Sequence, residues 1–327
     1  MAVTLTRRTF TAGAAAAAAL APGLAHAQSG MEFKYGNAGN DQTISNKFNA
    51  KLAQVIEQRT NGAVKTKIFA GTLGGEKALI EGMSLGTIDI YNGAYTGTRE
   101  FDIMYSPGFF RDGEHAKRVI RSAVGEKSSK VLEDRYKARL VGVGRLGPYC
   151  LAVKKPIATL AELKGMKIRT PQIEGCVEAV KHLGANPTPI AFNEVYLALQ
   201  QGVVDGFVSA LNPSVALKFY EPCKYILSNA FGEALDKQAI SVRAWGRMSA
   251  DQQKAMMTSF DEIEAVDYFK AGVDAISGDL AKWRQFNGPD SVITVDNAAL
   301  LKTMESLNAK LANEVFGAGA WDAIQKA

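Results

Sequence analysis

A chain of 327 residues with 47% apolar and 22% charged residues can bury a full hydrophobic core, and its length suggests about two domains. Its formal charge of +5 is mild, and no block of Lys and Arg appears. That excludes the electrostatic footprint of a nucleic-acid or membrane-surface binder.

The first 27 residues read as a targeting leader. Arg7 and Arg8 precede an apolar, Ala-rich run, and Ala25-His26-Ala27 is an A-x-A cleavage site. This is the pattern of a twin-arginine signal, or of a general secretory signal that happens to contain Arg-Arg; both lead to the periplasm. Cleavage would leave a chain starting at Gln28. No later stretch approaches the ~18 uninterrupted apolar residues of a membrane span, so a soluble monomer is expected. Cys150, Cys176 and Cys223 fit no zinc, haem or CxxC spacing. They read as small buried hydrophobes, although one disulfide with an odd cysteine left over suits an oxidising compartment.

Strand and helix signals then alternate. "FKYGNAG" predicts a strand, and Phe48, Leu52, Val55 and Ile56 give one face of a helix over 43–60. "VKTKIF" is a strand, "EKALIEGMSLG" a helix closed by Gly86, and "TIDIYN" a strand. A helix over 113–126 leads to the strand "RLVGVGRL". "YCLAV" and "MKIRT" follow as strands, then a helix over 172–184, and a short helix with Asn193 as N-cap. "VDGFVSA" and "KYILS" flank a helix over 213–220, and "KQAISVRAW" reads as one strand. A capping box of Ser249 and Gln252 opens a helix that runs to about Phe286, long enough to span two lobes. "SVITV" and a helix from Asn297 close the chain. The alternation predicts an α/β fold with largely parallel sheets.

Two motifs suggest chemistry and lack its context. "GVGRLG" (142–147) matches the dinucleotide fingerprint, but a strand follows it instead of a helix whose N-terminus could face a pyrophosphate. "GMSLG" (82–86) matches a nucleophile elbow, yet Ser84 ends a helix before a strand, the reverse of the required order. His115 and His182 are the only histidines after the leader, and His182 lies on a different helix face from Cys176. That leaves little for a transition-metal site or Cys/His catalysis. An exported α/β chain without a catalytic constellation suits a binding protein with a cleft between lobes. An exported, nucleotide-dependent oxidoreductase using the "GVGRLG" turn is the alternative.

The run "QRTNGAVKTKIFAGTLGGEKALIEGMSLGTIDI", the segment "YSPGFFRDGEHAKRV" and the block from "IATLAELKGMKIRTPQ" to "KFYE" resemble one family. It is the DctP-type solute-binding proteins of tripartite ATP-independent periplasmic (TRAP) transporters. The likeness spans nearly all of 31–327. It implies a type II-like periplasmic-binding-protein fold: two α/β lobes, crossing strands and a long inter-lobe helix. Lobe one would take 28–147 plus about 236–270, and lobe two 148–235 plus about 271–327. It also implies ligand capture without catalysis, no cofactor, and delivery to small and large membrane permease subunits. A metal bridging ligand and protein is left open.

By the same resemblance, Arg169 of "KGMKIR" would bind a ligand carboxylate, where a planar guanidinium meets the anion bidentately. On alternation alone, Arg169 is equally an edge charge. Asn37, Phe192, Ser209, Asn212, Asn92 and Gln172 occupy further pocket positions. Tyr149 stands where sialic-acid-binding members carry a second arginine, with Arg145 four residues earlier, which argues against sialic acid. Tyr149 and Phe192 could equally be core packing, and Ser209 and Asn92 turn caps.

Overall fold

The computed structural model of the protein describes residues 30–94, 96–227, 231–263 and 269–327. The leader and its A-x-A site lie outside the described residues.

The first half builds β1 (Met31–Asn37), α1 (Ile44–Arg59), β2 (Val64–Ala70), α2 (Glu76–Leu85) and β3 (Ile90–Ala94). Thr43 caps α1 by accepting the Asn46 amide, and α2 ends at Gly86, whose φ of 72° is the left-handed stop expected of glycine. After the short α3 (Arg99–Asp102) come α4 (Gly113–Ile120) and α5 (Ala123–Tyr136). The expected single helix over 113–126 is thus two. Ser122 caps α5 through the Val124 amide, and Gly125 makes the corner possible, since a Cβ there would stand 1.8 Å from the Ile120 carbonyl oxygen.

β4 (Ala138–Val153) is one long strand that absorbs both "RLVGVGRL" and "YCLAV". No helix follows the glycines of "GVGRLG", so the dinucleotide context is absent. The second half continues with β5 (Lys167–Thr170), α6 (Glu174–His182), β6 (Asn186–Pro189), α7 (Val195–Gln200) and β7 (Gly206–Ala210). Asn193 lies in a 3-10 turn before α7 and does not cap it by its side chain. Then come α8 (Leu211–Ala216), β8 (Tyr225–Leu227), β9 (Glu233–Ser241) and α9 (Val242–Gly246). "VRAW" was expected to extend the strand. Ser241 instead turns it into α9 by accepting the Ala244 amide at 3.1 Å.

The long helix is described as α10 (Ala250–Ile263) and α11 (Phe269–Asn287), with 264–268 outside the described residues. Its capping box is present: Ser249 and Gln252 exchange side chain-to-amide bonds. β10 (Val292–Ile293), α12 (Asn297–Phe316) and α13 (Ala320–Lys326) complete the chain.

The strands form two sheets that share β4. One has the order β2-β1-β3-β9-β4; in the other, β4 lies between β7 and β8, and β5 and β6 follow β7. β1, β2 and β3 are parallel, as are β5, β6 and β7. β4 and β9 cross between the halves and pair antiparallel with their neighbours, so the sheets are mixed. α10 packs on α1, and α11 packs on α8 and β4. Cys150, Cys176 and Cys223 are buried, and no disulfide joins them among the described residues.

Candidate functional site

The parallel strands of both sheets end at one place. In open α/β sheets, ligand sites form outside the carboxyl ends of the strands. Here those ends bring Asn37 from β1, Arg169 from β5 and Ser209 from β7 around a small chamber of about 60 Å³. Tyr149 of β4, and Phe192 before α7, join them there.

Arg169 has the decisive geometry. It sits on a central strand between β6 and β7 and is 1% exposed. Its Nε donates to the Ile190 carbonyl and its Nη1 to the Val208 carbonyl, each at 2.9 Å. Its Nη2 has no protein partner among the described residues. Burial pulls the guanidinium pKa below its ordinary value. A buried fork held by two carbonyls, with one donor nitrogen uncommitted, favours an incoming anion.

Ser209 is 4% exposed, and its hydroxyl likewise has no protein partner among the described residues. Phe192 packs on Phe219 with ring centroids 5.6 Å apart. Tyr149 meets Tyr105 edge to face with ring centroids 5.5 Å apart, and the Cys176 sulfur donates to the Tyr105 carbonyl at 3.7 Å. Burial pushes the Cys176 thiol up to about 12, which keeps it neutral and unreactive.

The other expected residues are held by protein partners or lie outside the inner chamber. Asn37 is fully engaged: its Nδ2 donates to Asn92 Oδ1 at 2.9 Å, and its Oδ1 accepts from Gly39 N and Asn46 Nδ2. Asn92 stands behind it, wholly buried, with its own amide toward Asp236 at 3.4 Å. Asn212 does not line the chamber; its Oδ1 accepts the Ile44 amide and its Nδ2 donates to Asp279. Gln172 lines a second, outer chamber of about 660 Å³. The side chain of Arg145 lies outside the described residues.

Two acidic residues of the site were not singled out from the sequence. Glu76, the first residue of α2, lines both chambers together with Arg169 and Pro171. Its carboxylate makes no ion pair or side-chain hydrogen bond among the described residues. Burial raises its pKa, and the charge of Arg169 opposes that rise. Its signal was the acid in "LGGEKAL", read as part of a helix and of the family resemblance but not as a site residue. Asp236 of β9 also lines the inner chamber and accepts from Ser45 Oγ at 2.7 Å.

Beyond the outer chamber, Lys237 is completely buried. Its ammonium donates to the Thr96 carbonyl and stands over the rings of Tyr91 and Phe101 at 5.6 and 5.4 Å. Among the described residues, no group of three or more His, Cys, Asp and Glu side chains is placed to hold a metal ion.

This geometry agrees with the comparisons. The family described as "Bacterial extracellular solute-binding protein, family 7" (DctP) matches residues 35–310. The chain belongs to this family. The solute-binding protein RD1_1052 of Roseobacter denitrificans is 31% identical over 247 residues, covering 73% of this chain and 75% of the relative. The sialic acid-binding periplasmic protein SiaP of Vibrio cholerae is 26% identical over 257 residues, 73% of this chain and 80% of SiaP. A TRAP periplasmic solute-binding protein from Polaromonas, solved with D-erythronate bound, superposes with a TM-score of 0.80 at 26% identity. That match covers 90% of this chain and 98% of the Polaromonas chain. Family 7 membership makes this a two-lobed solute-binding protein.

Proposed function

We propose that this protein captures a small organic carboxylate in the periplasm and hands it to a TRAP permease of one small and one large membrane subunit. The observation that carries this reading is the buried Arg169, whose Nη2 has no protein partner among the described residues and which lines the small chamber together with Ser209. That guanidinium makes no ion pair among the described residues, and a ligand carboxylate would supply one, with charge-assisted hydrogen bonds about twice as strong as neutral ones. The relative with bound D-erythronate supports the same class of ligand.

In this reading Arg169 anchors the carboxylate, and Ser209 adds a second donor. Phe192 and Tyr149 pack on the carbon skeleton, and Glu76 receives a donor from it. Asn37 and Asn92 hold the strand ends in place, Gln172 stands at the outer entrance, and Asn212 closes the halves on each other. Tyr149 at the second-arginine position disfavours sialic acid. The halves divide at about residues 147, 235 and 270, and the twin-arginine leader exports a monomer. Ligand capture needs no catalytic group and no cofactor.

A thermal-shift screen of the purified protein over carboxylic acids, each paired with its amide, tests this directly. A ligand that binds only the folded state raises the melting temperature. The expected result is stabilisation by one or a few acids and none by their amides. Equal stabilisation by an acid and its amide contradicts an anion site.

A further inference from the structure

Glu76 lines the inner chamber without an ion pair or a side-chain hydrogen bond among the described residues, and Arg169 is the cation whose charge acts on it. The ligand needs that same cation. We propose that the cleft takes up a proton at Glu76 as it takes up a carboxylate at Arg169, so that anion and proton bind together. This rests on the carboxylate-capture reading above and adds a proton to what is bound.

The geometry sets the sign. Glu76 opens α2 in the first half and Arg169 lies on β5 in the second, and both line the inner and the outer chamber. Burial raises the Glu76 pKa, while its own backbone amide and the charge of Arg169 oppose that rise. A ligand carboxylate on Arg169 cancels the second of these and places a like charge beside Glu76. It also displaces water from the chamber, which strengthens both effects. Each change favours the neutral carboxyl, so the pKa rises further and a proton comes from the buffer. A neutral carboxyl still accepts a ligand hydrogen bond at its carbonyl oxygen and gains an O–H to donate.

The other titratable groups around Glu76 are committed to protein partners or stand in water. On the inner side, Asp236 of β9 accepts from Ser45 Oγ at 2.7 Å and from Asn92 Nδ2 at 3.4 Å. Tyr105 donates to the Leu235 carbonyl, and burial raises the Tyr91 and Tyr149 phenols well above their ordinary value, so both stay neutral. On the outer side, Arg99 pairs with Glu174 at 2.9 Å and with Glu314 at 2.8 Å. Asp102 accepts the Gly97 amide at 3.2 Å and lies in the field of Lys237. Arg135 stands over the Tyr136 ring at 5.1 Å, and it is exposed together with Lys77 and Glu81, where salt screens their charges. Glu76 is thus the group whose counter-charge the ligand takes away.

The test is calorimetric titration with D-erythronate, the acid bound by the Polaromonas relative, or with the acid that stabilises most in the thermal-shift screen. Each titration is run in PIPES and in Tris, at pH 6 and at pH 7. The buffers differ in ionisation enthalpy, so the difference in apparent binding enthalpy counts the protons exchanged. The expected result is uptake of about 0.3 to 1 proton per ligand at one pH or both, with affinity falling at least about threefold from pH 6 to pH 8. Glu76→Gln, a neutral mimic of the protonated state, should abolish the buffer difference and flatten the pH dependence. Asp102→Asn should keep both, and melting without ligand reports whether each variant is folded. Binding of the acid to wild type without uptake, or with proton release, overturns the proposal and needs no variant to read. Uptake that persists in Glu76→Gln overturns it too. Stabilisation by no acid in the screen overturns the capture reading, and the proposal with it, so the two failures are distinct.

Discussion

Asn212 of α8 and Ile44 of α1, 168 residues apart in the chain, are joined by a hydrogen bond. The Asn212 Oδ1 at the start of α8 accepts the Ile44 amide of α1 at 3.0 Å, while its Nδ2 donates to Asp279 of α11 at 3.0 Å. One amide side chain thus ties the first turn of a helix in one half to two helices of the other. Burial raises the Asp279 pKa, and the bond from Asn212 opposes that rise.

Asn212→Ala removes both bonds, each worth about 0.5–1.5 kcal/mol net. Since neither touches the chamber, the loss falls on closure. The expected outcome is an affinity about 5- to 150-fold weaker for every ligand, with the order of preference among ligands unchanged. Titration of two acids against wild type and variant checks this. A changed order of preference would mean that Asn212 contacts the ligand itself.

Lys237 predicts an unusual pH dependence of stability. Burial lowers its pKa from 10.5 to about 7, against the opposing charges of Asp102 and Asp236. Burial raises Asp102 from 3.8 to about 6, against a Thr96 hydrogen bond and the charge of Lys237. Between about pH 7 and 10.5 the unfolded chain holds more protons at Lys237 than the folded one, so its contribution to stability rises with pH. Between pH 3.8 and about 6 the folded chain holds more protons at Asp102, so that contribution falls as pH rises. Denaturant titration should find wild type more stable at pH 9 than at pH 7. Lys237→Met should flatten that difference; an unchanged slope would place the titration elsewhere.

The α4–α5 corner depends on one glycine. A Cβ at Gly125 meets the Ile120 backbone, which cannot swing away like a flexible side chain. Gly125→Ala is therefore expected to cost about 3 kcal/mol, the upper end for overpacking, although alanine is the better helix former. Chemical denaturation measures it, and a stabilised variant would show that the corner relaxes freely.

The limits of sequence reading show at particular residues. Alternation placed Arg169 on a strand that Pro171 ends, and β5 stops at Thr170. What alternation cannot express is that β5 is a central strand covered on both faces, which buries Arg169 whichever way it points. Glu76 was legible as the start of α2, but its position across from Arg169 depends on how two halves of the chain meet. The same holds for Asn92: its residue type suggested a ligand contact, while Asn37 and Asp236, distant in sequence, engage its amide. Local signals misled where a single hydroxyl redirected the chain, as Ser122 and Ser241 do by capping helices that the apolar pattern did not separate.

The account turns on Arg169 as the carboxylate anchor. Its most direct test is calorimetric titration of wild type and Arg169→Ala with the best-binding acid, with Arg169→Lys as a folded control that keeps the charge. Loss of a buried, hydrogen-bonded charge pair predicts an affinity at least about 100-fold weaker for the alanine variant, roughly 3 kcal/mol. Lysine should recover only part of it, because it lacks the planar fork. An alanine variant that binds the acid as tightly as wild type would contradict the account.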